Sequence, residues 1–169
     1  VDSGSLQHQY ITAGTLLSSL RAGQGIGTGK FRITDSLGTS ALVTIDDNAK
    51  SLDDVIRNIN SKGTRIKARI NGKGDGLELY EEATGGGSIK IKVADESGTV
   101  AANLNLAGEA SGTGTSNFID GTAEKKVTFL ATDTLQQVAT KITSAGVGIS
   151  ASVINDGSGS TPYRLSLTS

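Results

Sequence analysis

Residues 23–31, GQGIGTGKF, are the first place where residue types and spacing could do chemistry, because glycines ahead of a Gly-Lys pair can cradle phosphates. A phosphate loop needs a further glycine where this chain has Gln24 and a hydroxyl where it has Phe31. A dinucleotide fingerprint fails as well, since the glycines alternate and a strand pattern follows them instead of a helix. The segment is expected to be a flexible entry into a strand that starts at Lys30. Asn71, Lys73, Asp75, Gly76 and Glu82 have the spacing of a calcium loop, but Lys73 puts an ammonium where a ligand oxygen belongs, and strand patterns replace the flanking helices. A hairpin turn is the simpler reading. Asp46, Asp47, Asp53 and Asp54 could be imagined as a carboxylate pair, yet acidic groups at a helix start also favour the helix dipole. His8 is the sole histidine and there is no cysteine, which removes a histidine-based triad, thiol nucleophiles, zinc-thiolate sites and disulfides. No residue is therefore assigned a catalytic, cofactor-binding or metal role, and the chain is expected not to be an enzyme and to need no cofactor.

The 16 basic and 17 acidic residues nearly cancel, so no net field draws the chain to nucleic acid or to an anionic membrane. Neither is expected as a partner. No apolar run is long enough to span a bilayer, and no charged segment followed by an apolar core marks a secretory signal. With 36% hydrophobic residues, 23 glycines and one proline among 169 residues, the chain promises small cores and many tight turns between short strands. Two small domains are expected.

A duplication organises the elements. From Val43 the chain reads VTIDDNAKSLDDVIRNINSKGTRIKARINGKGDGLELY, and from Val127 it reads VTFLATDTLQQVATKITSAGVGISASVINDGSGSTPYRLSL. Leu52, Val55, Ile56 and Ile59 share one helical face, and Leu135, Val138, Ala139 and Ile142 repeat that spacing. Ser51 with Asp54, and Thr134 with Gln137, have the spacing of capping boxes, while Gly63 and Gly146 sit where helices commonly stop. Each helix is preceded by a strand, 43–45 or 127–129, and followed by a hairpin. The hairpins pair Ile66, Ala68 and Ile70 with Leu77 and Leu79, and Ile149, Ala151 and Val153 with Leu165 and Leu167, around turns at 71–76 and 155–159. The expected fold class is α+β, mainly antiparallel, with one helix packed on each small sheet in duplicated ββαββ-like modules. The first module, 1–107, adds a strand at 30–34, a turn at 35–38, a strand at 89–93 and a short helix near 100–104. Residues 108–116, GEASGTGTS, are expected as a linker because small polar residues bury too little to order themselves, and 117–169 form the second module.

On these residues the chain resembles the flagellin hook IN motif of flagellar axial proteins. The resemblance is carried by GKFRITDSLG at 29–38, SLDDVIRNIN at 51–60 and INGKGDGLEL at 70–79, with the second copy, 127–167, as the more divergent match. The lead-in LQHQYITAGTLLSSLRAGQGIGTGKFRITD at 6–35 and the ending DGSGSTPYRLSLTS at 156–169 are similar to the filament-capping members of that group. The resemblance implies an exported, extracellular structural part of the flagellum: the outer domains of a cap at the filament tip, excised from a longer chain. Flagellin and further copies of the same chain are its implied partners, and host surfaces or mucin are partners of such outer domains in some bacteria. Two alternatives stand beside it: an insertion domain of flagellin or another hook-associated axial protein, and an adhesin-like module binding glycan through the hairpin turns with Tyr80 and Tyr163 nearby.

Overall fold

The structure is a computed structural model describing residues 2–6, 10–82, 87–123, 125–145, 149–157 and 162–168. In chain order its elements begin with β1 (Asp2–Leu6), the helical turn α1 (Leu20–Gly23), β2 (Gly29–Thr34), β3 (Ser40–Ile45) and α2 (Leu52–Asn60). There follow β4 (Ile66–Ile70), β5 (Leu77–Glu81), β6 (Lys92–Ser97), α3 (Val100–Asn103), β7 (Gly108–Glu109) and β8 (Ile119–Asp120). The last four are β9 (Lys125–Phe129), α4 (Leu135–Ser144), β10 (Ser150–Asn155) and β11 (Tyr163–Thr168). The chain is mixed α and β with antiparallel pairing throughout its sheets. It divides into two compact units, Gln9–Ala123 and a smaller one built from Val1–His8 with Glu124–Ser169.

The larger unit holds a four-stranded sheet in the order β3-β2-β6-β7 and a three-stranded sheet in the order β4-β5-β8. Alternation in β2 sends Phe31 and Ile33 inward, both fully buried, while Lys30 and Arg32 stay outside. The second sheet contributes Ile66, Leu77 and Leu79 to the same core, and α2 adds Leu52, Val55 and Ile59 at helical spacing. Two polar locks join the sheets. Asp35, buried in the β2–β3 turn, accepts from the amides of Leu37 and Thr39 and from Arg65 beside β4. Ser36 donates its amide and hydroxyl to the Glu81 carboxylate at 2.8 Å each.

In the smaller unit β1 pairs with β9, β10 pairs with β11, and α4 packs on β10 and β9. Its buried side chains are few among the described residues: Val127, Ala139 and Ile142. Leu135, expected on the apolar face of α4, is 37% exposed.

Three features differ from the sequence expectation. Residues 108–116 do not link two modules but belong to the larger unit: β7 pairs with β6, the Ala110 amide donates to Ile91 O, and Ala110 is buried. Backbone bonds and the buried Asn117, whose amide side chain accepts from Ile91 N and donates to Ile89 O, order this stretch despite its poor apolar content. The division falls instead after Ala123, and β1, expected as a lead-in to the first module, is a strand of the second unit. The downstream strand expected at 89–93 runs from Lys92 to Ser97, since Asn117 holds Ile91 N and Ile89 O outside any ladder. Finally, the strand ahead of each helix does not join the sheet of the following hairpin: β3 pairs with β2, and β9 with β1. Each helix thus bridges two sheets. Gly146 and His8 lie outside the described residues.

Candidate functional site

The clearest constellation is a set of polar clamps that both helices repeat. At the N-terminus of α2, Asp54 Oδ2 accepts from the amides of Lys50 and Ser51 at 2.9 Å and from Ser51 Oγ at 3.0 Å, and Arg57 pairs with the other oxygen. At the start of α4, Thr134 N donates to Gln137 Oε1 at 2.8 Å and Gln137 N donates to Thr134 Oγ1 at 3.3 Å. Both expected capping boxes are present. Towards the other end, Asn58 Nδ2 donates to Thr44 O in β3, and Lys141 Nζ, at the matching position of α4, donates to Thr128 O in β9.

Asn60 closes the series on α2: its Nδ2 donates to Ala68 O and its Oδ1 accepts from Ala68 N. On α4 the matching Thr143 does the same through one hydroxyl, accepting from Ala151 N at 2.9 Å and donating to Ala151 O at 3.4 Å. A side chain thus takes the place of a neighbouring strand at the outer edge of β4 and of β10, where bare amides and carbonyls would invite pairing. Different residue types make the same bonds at the same positions. Sequence reading missed all four residues, although the signal was there: the apolar Ile59 and Ile142 are each flanked by two polar residues, N-I-N and K-I-T.

The residues weighed for chemistry do not converge. The glycine segment at 24–28 lines a shallow groove of about 510 Å³ with Leu16, Leu17, Ile45 and the β3–α2 turn at Asp46, Asp47 and Lys50. The groove lies at the start of α2, but the first-turn amides there are already used: Leu52 N donates to Thr15 O, Asp53 N to Ala13 O and Asp54 N to Ser51 O. No spare donors at these positions face an anion. Asn71 and Asp75 are buried against each other in the β4–β5 turn. Asn71 Nδ2 donates to Asp75 Oδ1 at 2.7 Å and to Asp120 Oδ1 at 2.8 Å, and Thr122 Oγ1 donates to Asp75 Oδ2 at 2.6 Å. These oxygens lock the turn to β8 as the hairpin reading implies. Glu82 stands exposed beyond β5, and among the described residues no three His, Cys, Asp or Glu could hold a metal.

Asp46 accepts from the amide of Asn48, Asp53 pairs with Arg57, and Asp54 caps α2, so three of the four aspartates serve local structural roles. The backbone bonds from Ser51 and Lys50, with help from the Ser51 hydroxyl and Arg57, lower the Asp54 pKa from the ordinary 3.8 to about 2. A carboxyl depressed by the fold stabilises it above the unfolded value, and that contribution fades as pH falls from about 4 towards 2. Carbon-detected NMR should therefore show the Asp54 carboxyl titrating near 2, with the cap of α2 fraying in the same interval; an ordinary midpoint contradicts the cap. Of the two tyrosines near the hairpins, Tyr80 has the Arg69 guanidinium 4.3 Å from its ring centroid, and Arg69 is held by Glu78 at 2.7 Å. Tyr163 is 59% exposed on β11.

The strand–helix–hairpin order of the smaller unit, with its capping box and edge clamp, decides where a family signal should fall. Residues 111–169 match the flagellin hook IN motif. The match spans β8, β9, α4, β10 and β11, and so takes in the whole second copy, the one expected to be the more divergent. No curated protein and no solved structure matches the chain. The motif supports a flagellar or flagellin-like structural role and an exported location on the flagellum. Among the described residues no helix is long and apolar enough to cross a membrane.

Proposed function

We propose that this chain is a non-catalytic structural segment of the flagellar axial assembly, the outer domains of the filament cap that promotes flagellin assembly at the distal tip. The observation that carries the reading is the hook IN match over the copy whose clamps the larger unit repeats. Those clamps hold two rigid helix-backed hairpins, a geometry suited to presenting packed surfaces to neighbouring subunits. The polar side chains that could have served chemistry are spent on turns and caps, which favours a structural over an enzymatic role. Flagellin and further copies of the chain are the partners. A purified protein carrying this chain, imaged with flagellin, is expected to form ring-like oligomers or to sit at filament ends. A strict monomer indifferent to flagellin overturns the reading.

An adhesin-like role draws on one observation, the exposed ring of Tyr163 beside the β10–β11 turn. Glycan binding that disappears in Tyr163→Ala would favour that reading over the cap.

A further inference from the structure

The β10–β11 hairpin has two outer edges, and the structure treats them differently. Thr143 plugs the β10 edge at Ala151. Since the Ala151 amide and carbonyl point away from β11, pleat alternation makes the residue opposite, Leu167, direct its own amide and carbonyl away from β10. Leu165 and Tyr163, at every second position, do likewise. Among the described residues no strand pairs with this edge.

The first copy shows that the equivalent edge accepts a strand. There Leu79 stands opposite Ala68 and Leu77 opposite Ile70, as Leu167 stands opposite Ala151 and Leu165 opposite Val153. The free edge of β5 takes β8, with Leu79 beside Ile119 and Gly121 N donating to Leu77 O at 2.8 Å. Leu77 and Leu79 are buried there, in the core that α2 and both sheets of the larger unit share. In the second copy Leu167 is 52% exposed and Tyr163 is exposed beside it, on the sheet face that carries Ala151 and Val153.

We propose that the open edge of β11 pairs antiparallel with β11 of a second copy of this chain, joining two hairpins into one four-stranded sheet. The sequence YRLSLT is self-complementary in one register: Leu165 faces its own mate, Tyr163 faces Leu167, and Arg164 faces Ser166. All apolar pairs then share one face, the outward amides and carbonyls of Leu165 bond their mates, and no like charges meet. A strand that crosses over as β8 does is disfavoured. In the first copy the crossing runs past Gly76, where an added Cβ would lie 2.0 Å from Gly121 O, and the second copy has Arg164 at that position. The partner strand must therefore stay in the sheet plane along β11. A six-residue strand buries little surface, so the dimer belongs with the small transient interfaces below about 1,200 Å² and gains occupancy where copies are concentrated.

The inference gives the self-association of the proposed function a surface, but it stands on hairpin geometry and needs no flagellar partner. The chain has no cysteine, so single Leu165→Cys and Ser166→Cys variants of the full chain report the register directly. Leu165→Cys is expected to crosslink into dimers about tenfold faster or more than Ser166→Cys, because only the former faces its mate across the two-fold axis. Sedimentation of the unmodified chain should show mass rising with concentration, and Leu167→Pro, which removes one outward amide and no hairpin bond, should abolish the rise while the α4 amide signals persist. Should Leu167→Pro unfold the smaller unit, the cysteine pair decides alone. Equal crosslinking rates, a monomer at millimolar concentration, or association that survives Leu167→Pro in a folded unit overturns the proposal. So does an edge that takes only a foreign strand. None of these results touches ring formation or filament-end binding, so the two readings fail separately.

Discussion

Leu79→Ala lowers the stability of the larger unit by about 2–5 kcal/mol, whereas Leu167→Ala, at the equivalent place in the smaller unit, costs under about 1 kcal/mol. Both leucines sit opposite an alanine whose outer edge is plugged by a helix side chain. They differ in what lies on the other side. Leu79 has β8 beside it and is fully buried, so truncation leaves a cavity; Leu167 is half exposed and truncation removes surface that water already reaches. Denaturant unfolding followed by residue-resolved NMR gives the two values in one experiment. Equal losses would mean that the copies are covered alike, contrary to their exposures.

Gly76→Ala should cost about 3 kcal/mol or more, and Gly74→Ala, two residues away, only about 1–2 kcal/mol. The causes differ. Gly74 is left-handed at φ 69° with nothing near an added Cβ, so its substitution pays only for backbone strain. A Cβ on Gly76 would meet Gly121 O at 2.0 Å and Gly121 C at 2.5 Å, and these are backbone atoms. Gly121 has no room to yield, since a Cβ built there already lies 2.7 Å from Leu104 O and 2.8 Å from Leu77 O. The strain must push β8 off β5 and loosen the Asn71–Asp75–Thr122 lock with it. Thermal unfolding that ranks the two variants in the opposite order contradicts this packing.

The periodic parts of the fold were legible in the sequence because they rest on local rules. The i, i+3, i+4, i+7 apolar faces gave both helices, serine and threonine three residues ahead of a carboxylate or amide gave both capping boxes, and alternation gave both hairpins with Leu77, Leu79, Leu165 and Leu167 in place. What the sequence hid was long-range. DSGSL at β1 has no alternation to mark it, and only its pairing with β9 makes it a strand. GEASGTGTS reads as a linker until Asn117 and the Ala110 amide supply its bonds. The clamps were hidden differently: Asn60 and Thr143 share no residue type, so their equivalence shows only when both are seen on the same strand position. For the motif residues, sequence rules favoured a strand entry over a phosphate loop and a hairpin turn over a calcium loop, but they could not foresee that Asn71 and Asp75 would be buried as a lock for β8.

The two copies are one unit because a helix side chain closes the outer edge of the hairpin in each. Hydrogen exchange at the Ala68 and Ala151 amides tests this most directly, since among the described residues no strand covers either edge. The prediction is protection at both sites in the native chain, lost at Ala68 alone in Asn60→Ala and at Ala151 alone in Thr143→Ala. Exchange at unprotected rates in the native chain, or protection indifferent to these substitutions, would contradict it.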